Sequence, residues 1–501
     1  MPEAKATNIK AKKKISKSQY TRGLQCLKSL WLYNYRRDLA DEITPSKQAI
    51  FDQGHEVGDL ARKYFPGGVL LDEDREHTEQ ALARTTKLIK EGAKTLYEAT
   101  FFAEGVLVRC DIVRKVGGAW HLIEVKSSTQ LKEQHLPDIA IQKYVMEAAG
   151  FKVSKSFLMV INTDFVKHGP IDPREFFTLL EVTEELAEAE EEVPANLKAF
   201  FKTLSDPARE PAIKFGCHCS SPYECDFSGY CWKDVPDYSV FNLPHLKPEA
   251  KEALRDKGIL DITRLPRDIR LSSAAADIVR VASTGKPIID KKAVKAFLDG
   301  LKYPLYHLDF ETINPGIPLF DGYRPYQQVT FQASLHIERK PGAVPEHYEY
   351  LAEPGTDPRR PMIDFLLKHI GAQGTPLAYN KSFETCRIRE LAAFSPKHAK
   401  KLQALADRFV DLMSPFRSRH VFLPAFQGSY SMKAVLPALV PDMTYEGMAV
   451  ANGDDAQTAY KALLSGKLPS TEAAQLKADL LAYCGQDTLA MVKVVDRLKV
   501  V

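Results

Sequence analysis

No apolar run in the sequence approaches the roughly 20 residues that a bilayer-crossing helix needs. The opening stretch, MPEAKATNIKAKKKISKS, lacks the apolar segment of a secretory signal. Both absences predict a cytoplasmic protein without a membrane partner, with residues 1–14 as a basic flexible tail. Lys12, Lys13 and Lys14 can touch phosphate there or form a solvated lead-in. No internal repeat or low-complexity tract is found. A strong charge of one sign is also missing: 68 Lys and Arg stand against 65 Asp and Glu, a net +3. Bulk charge therefore does not announce a nucleic-acid binder, although a local basic track would suffice for one. Cysteine is scarce, with eight in 501 residues, too few for a disulfide framework. The tight Cys-x-x-Cys pairs of zinc ribbons and fingers are absent.

The chain is too long for one core, which predicts two or three domains. Helical spacing of apolar residues predicts one helix over 19–39 and another over 51–65, closed by Pro66-Gly67-Gly68. Strands over 105–116 and 119–128 are separated by Gly117-Gly118, a hairpin signal. A helix over 135–150, a strand over 155–163 and a charged, solvated helix over 182–204 complete a first domain, 15–235. Residues 236–303 read as a connector of short helices, whose Lys257-Gly258-Ile259 turn can mark a helix-hairpin-helix or a plain link. A last domain, 304–501, opens on a strand near 303–312, followed by strands over 327–338 and 375–380 and several helices. This alternation predicts an α/β fold.

The first constellation is Asp111, Glu124 and Lys126. Glu124 and Lys126 are two apart, so on a strand they share a face. Two carboxylates can hold Mg²⁺ or Mn²⁺, and a nearby lysine can orient the attacking water of phosphodiester cleavage. Glu-x-Lys alone carries nothing, since Glu249-Ala250-Lys251 and Glu338-Arg339-Lys340 repeat it. The apolar strand HLIEVK, the preceding Asp strand and the following helix with Gln142 set residues 124–126 apart; the alternative is an exposed hairpin. The set resembles the RecB-like branch of the PD-(D/E)xK nucleases, including CRISPR-associated exonucleases. That resemblance implies a restriction-endonuclease-like domain and makes His55, in GHEVGDLA, a metal ligand beside Asp111 and Glu124. The family's Gln-x-x-x-Tyr appears here with Gln142 but Met146, and with Tyr144 two residues after the Gln; only Gln142 is carried over.

Four cysteines crowd into GCHCSSPYECDFSGYCW, with Cys219, Cys225 and Cys231 evenly spaced. Thiolates suit iron–sulfur clusters or zinc. A distal cysteine plus such a C-terminal triplet resembles the iron–sulfur staple of RecB-like nucleases. This implies a 4Fe-4S cluster on Cys26, Cys219, Cys225 and Cys231, pinning an early helix to the domain's last turn. Cys217 is surplus, or substitutes for Cys219. Cys110, Cys386 and Cys484 read as buried apolar residues.

The third constellation begins in YPLYHLDFET, where Asp309 and Glu311 share one face of an apolar strand. A second Asp-x-Glu, Asp74 and Glu76, sits in a charged loop. LAYNKSFETCRIREL then supplies Glu384, and YCGQDTLAMVKVV supplies Tyr483 and Asp487 one helical turn apart. In this order the motifs resemble the DnaQ-like exonucleases of the RNase H-like superfamily, in which four acids hold two divalent ions and the tyrosine positions water. Glu384 stands where the family usually has Asp. Asp411 is a supporting candidate; Arg417, Arg419 and Lys433 can contact phosphate or be solvated. Together the resemblances imply a metal-dependent nuclease, an exonuclease acting on DNA with a single-stranded portion in repair, recombination or defence; RNA remains open. The alternative is a non-catalytic or single-site iron–sulfur adaptor that binds nucleic acid.

Overall fold

The computed structural model describes residues 14–73 and 77–501; Lys12, Lys13, Asp74 and Glu76 lie outside the described residues. The fold is α/β. Two compact units divide the chain, Met1–Asp234 with Gly316–Tyr326, and Val235–Pro315 with Gln327–Val501. None of the described helices is long and apolar enough to cross a membrane.

The first unit opens with β1 (Ile15–Ser16), α1 (Lys17–Gln25), α2 (Leu27–Tyr35), α3 (Pro45–Arg62), β2 (Val69–Leu70) and α4 (Thr78–Lys90). Then follow β3 (Thr95–Ala103), β4 (Val106–Val116), β5 (Ala119–Val125), α5 (His135–Ala148) and β6 (Val153–Ile161). It closes with α6 (Pro173–Phe176), β7 (Phe177–Glu181), α7 (Ala187–Thr203) and α8 (Ser228–Cys231). The strands form one sheet in the order β2-β3-β4-β5-β6-β7, with β1 parallel to the start of β4. Val116 and Ala119 pair across the two-residue turn, whose first position, Gly117, takes φ +61°, the left-handed conformation that glycine adopts without steric cost.

Apolar clusters cover both faces of this sheet. One gathers Tyr20, Cys110, Leu122, Ile139, Val145 and Phe200, the other Val57, Tyr97, Ile112, Ile123, Met159 and Phe176. Strand alternation would keep Cys110 and Ile112 together, yet they fall in different clusters, and Val113 returns to the first. The break centres on Asp111, and across from it on β3 Glu98 holds φ +58°. A change of face at one point of the ladder thus lifts Asp111 out of the regular pleat.

Three expectations are corrected here. The helix over 19–39 is two helices: Cys26 is extended (φ −163°, ψ 117°), ending α1 and starting α2. No glycine or proline marks that break. The helix over 182–204 begins at Ala187 and is not merely solvated, because Val193, Leu197 and Phe200 are buried. Its Phe200 lies so near α1 that a Cβ at Gly23 would come within 2.8 Å of the ring, so only glycine fits there. Cys386 is exposed rather than buried, while Cys110 and Cys484 are buried.

The second unit starts with α9 (Pro248–Asp256), α10 (Ser273–Thr284), β8 (Ile288–Ile289) and α11 (Lys291–Asp299). After Gly258 (φ +73°) the chain makes only a 3-10 turn, Ile262–Arg264, where a helix-hairpin-helix would have its second helix. Next come β9 (Leu305–Ile313), β10 (Val329–Glu338), β11 (Glu346–Leu351), α12 (Arg359–His369), β12 (Thr375–Ala378) and α13 (Ser382–Phe394). The unit ends with α14 (Ala399–Asp407), β13 (Val410–Asp411), α15 (Ser414–Arg417), β14 (Val421–Phe422), α16 (Met432–Leu439), α17 (Gly453–Leu464) and α18 (Ser470–Leu498). Its main sheet runs β11-β10-β9-β12-β13, antiparallel through the first three strands and parallel from β9 to β13. β10 is buried along its whole length: Ala333, Leu335 and Ile337 pack with Met362 and Leu366 of α12 and Ile388 of α13, while α18 covers the alternate residues through polar contacts. Gln332 Nε2 donates to the Leu480 carbonyl at 2.7 Å, and the Ser334 and Thr488 hydroxyls meet at 2.7 Å.

Candidate functional site

Period-two geometry on β9 sets Asp309 and Glu311 on one face, and α18 brings Asp487 against them. One oxygen from each of these three acids lies within 4.8 Å of the others, and this is the one such group of three or more metal-grade donors among the described residues. Glu384 joins from the first turn of α13. It is 2% exposed, and its Oε2 is buried without a hydrogen-bond partner. Among the described residues, none of the four acids forms an ion pair with lysine or arginine. The consequence is electrostatic. Burial, then the Asp487 charge, pushes the Asp309 carboxyl well above its usual range; burial and then Asp309 do the same to Glu311 and to Glu384. Burial lifts Asp487 to about 6, against the opposing hydrogen bonds of Tyr445 and Tyr483.

Tyr445 escaped the sequence reading. Its hydroxyl donates to Asp487 Oδ1 at 2.5 Å from a stretch between α16 and α17 that carries no periodic signal. The Cys484 thiol approaches Asp309 Oδ2 at 3.6 Å, so this buried cysteine sits against the acids. Asp411 instead ties loops together: its Oδ1 accepts from the Asn380 and Met413 amides, both at 3.0 Å. Its Oδ2 accepts from Arg417 at 3.1 Å, while Arg419 pairs with Asp277 at 3.0 Å. Lys433 lies nearer the acids, lining an open pocket with Tyr445, Thr444 and Glu446.

In the first unit, Glu124 faces α5 and α1. Its Oε1 accepts from Lys126 at 2.7 Å and Lys17 at 2.9 Å; its Oε2 accepts from Gln142 at 2.8 Å and Lys17 at 3.2 Å. Lys126 also pairs with Asp138. Burial alone would raise the Glu124 pKa, but Lys126 and Lys17 outweigh it and hold the group well below the usual range. Asp111 accepts from the Val125 amide at 2.7 Å, and burial, followed by the Glu124 charge, pushes it up to about 7. Glu98 is close enough to feel Glu124, and burial raises its pKa. Lys17, Glu98 and Asp138 were all missed from sequence; Asp138, four residues before Gln142 on α5, was the one with a helical-spacing signal. His55 stands exposed on α3, the helix whose Val57 and Ala61 pack with Ile112 and Ile123, and no hydrogen bond joins it to these acids. Met146 is core, its sulfur 3.9 Å from Cys110.

Cys26, Cys219, Cys225 and Cys231 line one pocket with Lys28, Ser29, Phe215 and His218; Cys217 is not part of its lining. Among the described residues, no three of these sulfurs close to within 4.8 Å of one another. Burial pushes the Cys231 thiol up to about 11, against the opposing charge of Lys28 and with the help of the neighbouring thiols. The cysteine segment is moored to the first helices by Asp226, which pairs with both Arg22 and Lys47. Gln25 Nε2 adds bonds to the carbonyls of His218 at 2.9 Å and Tyr223 at 2.7 Å.

Residues 306–431 match a family described as a domain of unknown function, DUF2779. The chain is also similar to the "Uncharacterized protein MG366 homolog" of Mycoplasma pneumoniae, 27% identical over 228 residues, 41% of this chain and 34% of that protein. A second relative, "Uncharacterized protein UU173" of Ureaplasma parvum, is 28% identical over 220 residues, 39% of this chain and 31% of that protein. The chain thus spans about a third of the length of the curated relatives it matches.

Proposed function

We propose that the chain is a divalent-metal-dependent nuclease, with an exonuclease-type centre in the second unit and a PD-(D/E)xK-type centre in the first. The observation that carries this reading is the set Asp309, Glu311, Glu384 and Asp487: four acids together, two of them buried, with no lysine or arginine among the described residues in an ion pair with them. Clustered carboxylates withdrawn from water are costly unless protonated or balanced by a cation. A hard oxygen donor set suits Mg²⁺ or Mn²⁺, and the unpartnered Glu384 oxygen fits a missing ligand. A metal held there supplies Lewis acidity toward a phosphodiester and a more acidic water. The chain's own part is positional: Tyr445 fixes one Asp487 oxygen, Tyr483 lies one turn before that acid, and Lys433 offers positive charge at the rim. The strand order of the second unit supports the RNase H-like resemblance. In the first unit Asp111 and Glu124 are the acids, with Lys126 and Gln142 orienting Glu124. DNA is the proposed substrate and RNA the competing one.

The four cysteines fit a 4Fe-4S cluster better than one zinc ion, which at Zn–S of about 2.3 Å would draw its sulfurs to about 3.8 Å apart. The cluster's role would be structural. Replacing Cys231 with alanine is expected to remove most bound iron and to lower the first unit's thermal midpoint. Stoichiometric zinc without iron in the wild type would sink the cluster.

End-labelled single-stranded DNA, duplex DNA and RNA should be incubated with Mg²⁺ or Mn²⁺, beside Asp111→Ala, Asp309→Ala and the double variant. Metal-dependent cleavage lost in the double variant is the expected result. Binding without cleavage by the wild type would favour the adaptor.

A further inference from the structure

Lys17 has no counterpart in the sequence reading, yet its ammonium donates to both oxygens of Glu124. We infer that Lys17 is a positioning residue of the Asp111–Glu124 centre: its ammonium holds the Glu124 oxygens that a divalent cation would use, and so sets the metal concentration at which that centre fills. The inference rests on the proposed reading of Asp111 and Glu124 as metal-binding acids.

Three observations support it. The first is saturation. Each Glu124 oxygen accepts two hydrogen bonds, and Lys17 supplies one of the two on both, at 2.9 and 3.2 Å. A divalent ion reaching Glu124 must therefore displace one of these donors, and Lys17 is the one that stands on both oxygens, with the longer bond on Oε2. Asp138 Oδ1, 3.9 Å from the same ammonium, offers it an alternative partner. The second is placement. Ile15 is fixed against Val106 by the β1–β4 pairing, and Ser16 and Gln19 cap the helix reciprocally. Lys17 therefore leaves a rigid start, not a frayed tail. The third is a broken local rule. Lys17 is the first residue of α1, where the helix dipole disfavours a cation, and no acid occupies that first turn. Only the long-range contact with Glu124 and Asp138 accounts for it. A residue that violates local preference to serve a distant carboxylate is expected at functional sites.

The contrast between the two centres gives the inference its meaning. Among the described residues the acids of the second unit form no ion pair with a lysine, Lys433 acting on Asp487 only at longer range, whereas Glu124 pairs with two. The first centre should therefore need more metal to fill than the second.

The test measures Mn²⁺ binding by calorimetry and by loss of the free-ion EPR signal, on the full chain carrying Asp309→Ala and Asp487→Ala so that the second unit is silent. Lys17→Met in that background should bind Mn²⁺ at least about tenfold more tightly, because a unit positive charge about 3 Å from the ligand oxygens is removed. Lys17→Arg should restore weak binding. Thermal denaturation confirms that each variant is folded, and Lys17→Gln stands in if the methionine variant is not. Unchanged or weaker binding in the folded variant overturns the inference. Adding Asp111→Ala should abolish the binding; if it does not, the metal reading of the centre fails, whatever Lys17 does.

Discussion

Asp309→Asn is expected to abolish the metal-dependent cleavage of the second unit while making the metal-free protein more stable at neutral pH. Loss of one ligand from a centre worth several kcal/mol of transition-state stabilisation costs on the order of 10³-fold in rate. The stability gain follows from the same crowding. Asp309, Glu311 and Glu384 have carboxyls raised well above the ordinary range, and Asp487 is raised from 3.8 to about 6. Groups raised in the folded state bind protons more readily folded than unfolded. Their stabilising contribution is complete below about pH 4 and is lost as pH rises through the folded values. The metal-free wild type should therefore melt lower at pH 8 than at pH 5.5. Between pH 5.5 and pH 8 Asp487 alone accounts for roughly 1 kcal/mol, or about 2–4 °C for a unit of this size. Saturating Mn²⁺ should erase that slope, and Asp309→Asn should flatten it without metal. Scanning calorimetry with EDTA or Mn²⁺ reads both. A pH-independent midpoint in EDTA would refute the electrostatic account of this site.

Glu124→Ala should produce the largest loss of stability. The substitution leaves the Lys17 and Lys126 ammoniums with Asp138 as their remaining ion-pair partner and takes one of the two acceptors from Gln142, whose amide keeps the Asp138 carbonyl. Breaking a buried charge pair from one side costs about 3–5 kcal/mol, much more than an exposed pair. All three tryptophans, Trp31, Trp120 and Trp232, belong to the first unit, so their emission during urea denaturation follows that unit alone. Glu124→Gln, which keeps an oxygen acceptor, should lose less. A midpoint unmoved by alanine would mean that the two lysines do not depend on Glu124.

The parts of the site that sequence made legible are those written in a regular period. Asp309 and Glu311 follow the strand period and Tyr483 and Asp487 the helical one; the structure brings these four and Glu384 together. Crowding of Cys219, Cys225 and Cys231 was visible as spacing, and Cys26 through its resemblance alone. Tyr445 and Lys17 were not legible, because each meets its acid across a sequence gap with no motif: 42 residues to Asp487 and 107 to Glu124. The break at Cys26 was hidden for a related reason. Helix propensity runs through it, and the bonds of Gln25 and Arg22 to the distant cysteine segment accompany the kink. β3, the strand opposite Asp111, was missed because TLYEATFFA carries an acid at the place where the pleat changes face.

Assignment of residues 316–326 to the first unit has a consequence for synthesis. The Tyr326 hydroxyl bonds to the Ser127 carbonyl, and Asp321 accepts from Lys167 at 2.8 Å and from the Gly169 amide at 3.0 Å. On a ribosome adding about 5–20 residues per second, roughly 5–20 s separate the emergence of Asp234 from that of Tyr326. During that interval the cluster around Phe165 and Phe176 waits without Ile317 and Tyr326, which pack on it in the finished unit. The first unit is therefore completed only after the second has begun to emerge, and a chain cut after residue 235 would carry that apolar patch uncovered. Such a fragment should be the more aggregation-prone form, and adding the 316–326 segment as a separate peptide should reduce its binding of a hydrophobic dye.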